Sequence, residues 1–327
     1  MKAAVCYKYG APSDVIKIRE VEKPSPKEGE VLIKIHAASI NAIDWRSVRG
    51  TPFFSRTMTG LLKPRNIIPG ADLAGVVEAV GKGTKQFKPG DEVIGCLIEV
   101  GAGCFAEYVC AKESLLAPKL LCVSFEYAAS LPMAAVTALQ GLRDAGKIKP
   151  GHKVLINGAS GGIGTFAVQI AKAFGAEVTA VCSSGALGMS SSLGADDVVD
   201  YTREDFSKND KRYDVIFDVA ATRTVNEYRN SLTENGTCVV VGFPGNPVIG
   251  HLLSLGLSRK KDGKKIVVLM AKNTSQSDLI FLNELIKAGK LRVVIDSRYT
   301  LTEIASAVSR VENEHPKGKV VVMVASI

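Results

Sequence analysis

Along the first ~120 residues apolar and polar positions alternate in short runs broken by glycine and proline, the period-two signature of half-buried strands. Val31, Ile33 and Ile35 share one face of such a run, with Leu32, Lys34 and His36 on the other. Asp72 to Val80 reads as a second strand closed by Gly81. Lys88-Pro89-Gly90-Asp91 reads as a turn, Glu92 to Ile94 as resumed extended chain, and Cys104 to Val109 as a further strand. Short strands with Gly/Pro turns predict a sandwich or small barrel. The pattern changes near Ser124. Tyr127 to Leu142 is rich in Ala and Leu and predicts a helix. Apolar strand cores then fall at Val154, Val178, Val198, Val215, Val239 and Val267, with helical stretches between. That is the rhythm of βαβ units and of a parallel sheet. Ser277 to Gly289 predicts the last helix of the series. From Leu291 the chain returns to a strand, followed by a helix at Thr302 to Asn313 and a strand at Lys319 to Val324. This tail is expected to rejoin the first domain. The expected class is α/β: a β-rich domain of residues 1–123 and 290–327, and a doubly wound parallel-sheet domain of residues 124–289 inserted into it. At ~150 residues per domain, a chain of 327 residues holds about two.

Composition narrows the setting. With 46% apolar and 23% charged residues, the chain is globular in type and not disordered. Its 31 glycines lack a triplet period, which excludes collagen and points to tight turns and close backbone approaches. The net charge of +8 admits nucleic acid, a membrane surface or an anionic small molecule as partner. The densest basic patch, Arg259, Lys260, Lys261, Lys264 and Lys265, surrounds an Asp-Gly turn and reads as solvated surface. No aromatic-plus-basic motif supports nucleic acid binding. The seven cysteines are dispersed without a C-x-x-C, so neither a disulfide framework nor a zinc knuckle is indicated, and a reducing compartment fits. The N-terminus lacks a signal-peptide pattern and no run of ~18 apolar residues occurs. The expectation is a soluble cytoplasmic protein with no integral membrane segment.

The strongest chemical signal is Lys153-Val-Leu-Ile-Asn-Gly-Ala-Ser-Gly-Gly-Ile-Gly164, a strand running into a glycine turn. A helix follows, with Ile163, Phe166, Ala167, Ile170, Ala171 and Phe174 on one face. Ala159-x-Gly161-x-x-Gly164 is the dinucleotide fingerprint with its first glycine replaced by alanine. The first small residue is read as making the tight turn, Gly161 as letting backbone approach a pyrophosphate, and Gly164 as letting the helix pack closely on the strand. The helix N-terminus, over Ser160, Gly161, Gly162, Ile163 and Gly164, offers N–H groups and a positive dipole end to phosphates. The same residues also fit G-x-S-x-G, a hydrolase nucleophile elbow with Ser160 as nucleophile. Asp218 with His251, or Asp296 with His315, would then complete a triad, but no His-Gly-Gly oxyanion segment precedes the turn.

The second strand bears on nucleotide choice. An NAD-preferring site places Asp or Glu about 20 residues past the glycines, bonding the ribose 2′-hydroxyl. Here Val178-Thr-Ala-Val-Cys182 ends in Ser183-Ser184, with no carboxylate at that strand end and two hydroxyls to meet a 2′-phosphate. NADPH is the expected cofactor. Arg203, beside Tyr201 after the next strand, either supplies the matching charge or is plain surface.

These segments, with Ala38-Ser-Ile-Asn-Ala-Ile-Asp44, Pro69-Gly-Ala-Asp-Leu-Ala-Gly75, Lys88-Pro-Gly-Asp-Glu-Val93, Ala135-Val-Thr-Ala-Leu139 and Gly318-Lys-Val-Val321, resemble the quinone reductase and ζ-crystallin-like branch of the medium-chain dehydrogenase/reductase superfamily. The likeness runs along essentially the whole chain. It implies a GroES-like catalytic domain, a Rossmann domain, an active site in the crevice between them, and a homodimer through the cofactor domain. The zinc alcohol dehydrogenases of the superfamily place a Cys ligand where this chain has Asn41 and a His where it has Ala71. A catalytic zinc needs three protein ligands, so no metal is expected. Cys96, Cys104 and Cys110 are too few for a structural-zinc lobe, and His36, His152, His251 and His315 are dispersed.

Without a Lewis acid, a quinone or an α,β-unsaturated carbonyl is the easier acceptor: hydride adds to a conjugated carbon and charge moves to oxygen, where a hydrogen-bond donor stabilises it. The resemblance implies that Asn41 lies beside the nicotinamide and donates to that oxygen; its other reading is a structural bond within a turn. Asp44-Trp45 is an Asp-Trp pair shared with chloroplast-envelope quinone oxidoreductase homologues, and Trp45 is either an apolar wall or core. Arg46 and Ser47 stand where relatives often have a tyrosine proposed as proton donor. Thr137 matches a threonine near the nicotinamide, and Gly242-Phe243-Pro-Gly245 a loop that bonds the carboxamide. His251 to Leu257 is an apolar run suited to the cleft mouth, a dimer contact or core. The expected activity is NADPH-dependent, zinc-independent reduction of quinones or α,β-unsaturated carbonyls. The alternatives are an NAD(P)-dependent alcohol dehydrogenase-like enzyme and a nucleotide-binding relative without turnover.

Overall fold

The computed structural model describes residues 1–101, 103–241, 260–261 and 263–324. The chain forms two compact units, one of Met1–Ala134, Asn273–Asn283 and Ile295–Ile327, the other of Ala135–Lys272 and Glu284–Val294.

The first unit is built on a seven-stranded sheet. Its strands run in the spatial order Ile295–Thr300, Lys319–Met323, Glu30–Ile40, Asp72–Val80, Glu92–Cys96 and Leu116–Pro118, with Tyr108–Lys112 also paired to Glu30–Ile40. Its pairs are antiparallel except that of Ile295–Thr300 with Lys319–Met323. Lys2–Cys6 and Ile16–Glu20 add an antiparallel ribbon. Val31, Ile33 and Ile35 point into the core with Leu73, Val77 and Leu116. Leu32, expected on the outer face, is buried too. The strand expected at Cys104 to Val109 begins only at Tyr108. Before it, the Cys104 and Phe105 N–H groups are taken by the carbonyls of Gly70 and Pro69, outside any ladder.

The helix expected over Tyr127 to Leu142 is two helices, Phe125–Ala129 and Pro132–Gln140, followed by a π-helical turn at Gly141–Ala145. Pro132 lacks an N–H and suits a first helical turn, while it pushes Leu131 out of the helical region. Against the expected junctions at 123/124 and 289/290, both Phe125–Ala129 and Asn273–Asn283 fall with the first unit. Phe125 stacks on His36 at 4.3 Å, and Gln276 and Asn283 donate to the carbonyls of Leu116 and Pro118.

The second unit holds the other seven-stranded sheet, in the order Asp197–Asp200, Glu177–Cys182, Lys153–Asn157, Tyr213–Asp218, Leu232–Val240, Lys264–Val268 and Lys260–Lys261. All pairs are parallel save the last. Numbering the parallel strands along the chain gives 3-2-1-4-5-6, the doubly wound Rossmann arrangement. Each strand core expected from the sequence lies within one of these strands. Val154, Leu155, Ile156, Ile216 and Phe217 are fully buried, because helices cover both faces of a parallel sheet. The order reverses between Lys153–Asn157 and Tyr213–Asp218, and the Gly-rich turn leaves the first of these at its C-terminal end. No helix among the described residues is long and apolar enough to cross a membrane.

Candidate active site

Two groups of residues carry chemistry, one in each unit. In the second unit, Asn157 ends its strand and Gly158 turns the chain at φ +87°, a backbone conformation that costs a side chain dearly. The tight turn therefore belongs to Gly158, and the reading that gave it to Ala159 is corrected. Ala159 does not have a positive φ, which is why alanine is tolerated there; it is fully buried, with its N–H bonded to Val181 O. Gly161 is the N-cap of helix Gly162–Ala173, which is buried nearly all round from Gly164 to Ala171 and not along one stripe. A Cβ at Gly164 would lie 2.1 Å from the Gly158 carbonyl oxygen and 2.7 Å from Ala159 Cα. The close approach is thus to the turn's own backbone. A Cβ at Gly161 would meet nothing nearer than 3.7 Å, so space lies open in front of a helix end whose first-turn N–H groups have no partners within the helix. A phosphate-bearing dinucleotide fits this cradle.

The two strand ends at the switch point are tied together. Asn157 Nδ2 donates to Asp218 Oδ2 at 3.0 Å, and the Tyr228 hydroxyl and the Ala221 N–H also donate to that carboxylate. Burial pushes the Asp218 carboxyl above its ordinary range, and these donors oppose the shift. Asp218 is thereby consumed by the scaffold, which removes it as a triad member for Ser160.

At the next strand ends, Ser183 caps a short 3-10 turn and Ser184 donates to Asp200 Oδ2 at 2.5 Å. A carboxylate therefore does stand beside this site, contrary to the reading of the second strand alone. It comes from the neighbouring strand, Asp197–Asp200. Thr202 donates to Asp200 through both its N–H and its hydroxyl, and Arg203 lies 3.5 Å away with its side chain 80% exposed. These partners hold the Asp200 carboxyl below its usual value, the Ser184 hydrogen bond foremost. Tyr201 is exposed beside them.

In the first unit, strand Glu30–Ile40 runs straight into helix Ala42–Arg49, with Asn41 as N-cap. Asp44 closes a capping box by accepting the Asn41 N–H at 2.7 Å, and its other oxygen accepts the Ala71 N–H at 3.0 Å. Asn41 Nδ2 donates to Asp72 Oδ2 at 2.8 Å, and Asn41 Oδ1 accepts from Lys319 Nζ at 2.5 Å. Ser39 and the Met133 N–H complete the shell of Asp72. Lys319 also reaches Ile40 O at 3.2 Å and lies 3.9 Å from Asp72. All of Asn41, Asp44, Asp72 and Lys319 are buried. Burial pushes the Asp72 carboxyl up and the Lys319 ammonium down, each opposed by the other's charge. Trp45 packs on the core of this unit, with the Arg46 guanidinium 5.1 Å from its ring centre.

Asp44 is pushed up to about 7, chiefly by burial. The folded protein then holds this proton more tightly than the unfolded chain. The resulting stability is complete below about pH 4 and is lost as pH rises through the folded value. Asp44→Asn removes this titration. The difference in melting midpoint, wild type minus variant, is expected to fall between pH 5 and 7.5 and to level off above 8. A difference that stays flat with pH would refute the assignment.

Thr137 lies buried in helix Pro132–Gln140. Gly242 and Phe243, the run His251 to Leu257 and Arg259 lie outside the described residues. Sequence reasoning missed Asp72, Lys319 and Asp200. The available signal was a lone charge at one end of an apolar strand: Lys319 before Val320-Val321-Val322, Asp72 before Leu73-Ala74, Asp200 after Val198-Val199. Among the described residues no three His, Cys, Asp or Glu side chains gather as a metal site would require.

Residues 27–120 match the family described as "Alcohol dehydrogenase GroES-like domain" and residues 193–322 that described as "Zinc-binding dehydrogenase". The chain is 34% identical to the chloroplastic quinone-oxidoreductase QR1 of Triphysaria versicolor, covering 98% of each chain. It is also 34% identical to the chloroplastic NADPH-dependent alkenal/one oxidoreductase of Arabidopsis thaliana, over 98% of this chain and 79% of that protein. The solved structure of the quinone oxidoreductase from Coxiella burnetii superposes with a TM-score of 0.87 at 31% identity, covering 99% of both. With its GroES-like and Rossmann units, this chain belongs to the quinone oxidoreductase branch of the medium-chain dehydrogenase/reductase superfamily and is an oxidoreductase.

Proposed function

We propose that the protein reduces quinones or α,β-unsaturated carbonyls with NADPH, without zinc, as a cytoplasmic homodimer. The observation that carries this reading is the state of Asn41. Its Oδ1 is held by Lys319 and one Nδ2 hydrogen by Asp72, which leaves the second Nδ2 hydrogen as a fixed donor. A fixed donor suits an acceptor whose oxygen gains charge as hydride arrives at a conjugated carbon.

Reduced nicotinamide, when bound, supplies the hydride. The chain's part is to bind the pyrophosphate at the Gly158–Gly164 turn and to stabilise the nascent oxyanion through Asn41; a proton from water or a side chain completes the reduction. Thr137 and Trp45 belong to the same reading as residues near the nicotinamide and its acceptor. The names of the relatives, a quinone oxidoreductase and an alkenal/one oxidoreductase, support the acceptor class.

The donor set does not fit zinc. The Asn41 oxygen is held by the Lys319 ammonium, whose charge opposes a metal cation there, and Ala71 offers only a methyl group. The Cys96 and Cys104 thiols are pushed well above their ordinary values by burial, so they are protonated. Lys319 already places a positive charge in the cluster.

A steady-state screen of quinones, enones and simple ketones with NADPH and NADH, before and after dialysis against a chelator, tests the proposal. Turnover of a quinone or enone is expected, faster with NADPH, undiminished by the chelator, and absent with simple ketones. Arg203, 3.5 Å from Asp200, offsets the carboxylate that stands beside Ser184; Arg203→Ala is therefore expected to raise the NADPH KM about tenfold and leave the NADH KM unchanged, since one charge-assisted phosphate contact is worth about that factor. Tight NADPH binding with no turnover of either acceptor class would overturn the reading.

A further inference from the structure

We propose that Lys319 is a positioning residue for the reduction: its ammonium fixes the sense of the Asn41 amide and polarises it, so that an N–H, never the amide oxygen, is presented to the acceptor. This rests on the reading of Asn41 as the oxyanion donor and adds the group that makes it one.

An asparagine amide is nearly symmetric in shape, and only its partners decide which end faces where. Here both partners are unambiguous. Lys319 Nζ can only donate, and it lies 2.5 Å from one terminal atom of Asn41, which must be the oxygen. Ionised Asp72 can only accept, and it lies 2.8 Å from the other, which must be the nitrogen. Flipping the amide would set two donors against each other on one side and two acceptors on the other.

The surroundings of Lys319 Nζ are themselves all acceptors: Ile40 O, Asn41 Oδ1 and, further off, Asp72 Oδ2. They suit an ammonium with three hydrogens and would leave a neutral amine short of a donor to its own lone pair. A positive charge on the amide oxygen draws electron density from the nitrogen, so the remaining Nδ2 hydrogen becomes a stronger donor. Bonds in such a chain reinforce one another in a dry site. The cluster is dry, with the Lys319 side chain 3% exposed and that of Asp72 fully buried.

Burying a lysine is costly, and an apolar side chain in the same place is often no less stable. The remainder of its strand is apolar, Val320-Val321-Val322. Packing alone therefore gives no reason for the charge, whereas the orientation of Asn41 does.

Single-turnover hydride transfer from saturating NADPH to 1,4-benzoquinone, and to methyl vinyl ketone as the enone, reads this directly. Lys319→Met is expected to slow transfer about tenfold to a hundredfold, with the change in kcat and not in acceptor KM, and with NADPH affinity unchanged. Lys319→Gln keeps a neutral donor to Asn41 Oδ1 and is expected to fall between Lys319→Met and wild type. It carries the same test if Lys319→Met does not fold. Because Lys319 acts through Asn41, the double variant Asn41→Ala/Lys319→Met is expected to be no slower than Asn41→Ala alone. A purely structural lysine would instead lower NADPH affinity and melting point and multiply the two losses, which would overturn the proposal. So would Lys319→Met at the wild-type rate beside a slow Asn41→Ala. If Asn41→Ala itself reacts at the wild-type rate, the donor reading of Asn41 fails first, and the role of Lys319 falls with it.

Discussion

Replacing Gly164 with alanine is expected to abolish useful NADPH binding, raising its Kd about a hundredfold or more. The added methyl would stand 2.1 Å from the Gly158 carbonyl oxygen and 2.8 Å from the Ala159 carbonyl carbon. Both are backbone atoms, so no rotamer can relieve the clash. The helix must back away from the turn, or the turn must open. Either motion shifts the first-turn N–H groups by a large fraction of an ångström, and misplacement of about 1 Å costs a site roughly two orders of magnitude. The turn cannot absorb the shift elsewhere, because the Gly158 and Ala159 N–H groups are both bonded to Val181 O. Calorimetric titration with NADPH checks this, with melting point as the accompanying measure of fold. Gly188→Ala is the control, since a Cβ there meets nothing within 4 Å. Its binding is expected to match wild type. Gly164→Ala binding within tenfold of wild type would remove the turn from the cofactor site.

The second large effect is expected at Asn41. Asn41→Ala should lower kcat for a quinone or enone by about two to three orders of magnitude, the usual cost of losing one preorganised oxyanion donor. NADPH affinity should stay as it is. The fold has reason to survive: the capping carboxylate Asp44 bonds the Asn41 backbone, which alanine keeps. Lys319 and Asp72, already 3.9 Å apart, can then pair directly. Asn41→Asp separates chemistry from shape. It preserves the outline of the side chain but replaces the donor with an acceptor and adds a carboxylate beside Asp72. It is expected to be at least as slow as Asn41→Ala. A fast Asn41→Asp would show that the site needs only the shape, and an undisturbed Asn41→Ala would move the electrophile elsewhere.

Much of the architecture was legible along the chain. Each strand core of the parallel sheet carries its own local signal, because strands buried on both faces must be continuously apolar. The Gly-rich turn was legible because its demands are local too: a positive φ, an open helix end and a close approach within seven residues, Gly158 to Gly164. Even there the assignment of roles depended on coordinates. Three small residues in a row, Gly158, Ala159 and Ser160, look alike in a motif, and only the backbone angles show that Gly158 makes the turn. The helix break before Pro132 was legible in principle, since proline marks it, but the apolar run around it hid the signal.

The polar clusters were not legible, and the reason is distance along the chain. Ser184 and Asp200 are 16 residues apart, in segments that look complete when read singly. They meet because their strands are neighbours in the sheet, so a site that appears to lack a carboxylate has one. Asn41 and Lys319 are 278 residues apart. They meet because the C-terminal strand pairs with Glu30–Ile40, placing Val320 opposite Ile40. By itself, then, the sequence determined where the strands of the parallel sheet fall and that a Gly-rich turn leads from a strand into a helix, because each is written in contiguous residues. Which charges face one another, and so which end of the Asn41 amide is turned outward, only the tertiary structure decided: electrostatic pairing acts through space across strand neighbours, and the order of strands in a sheet leaves no local trace.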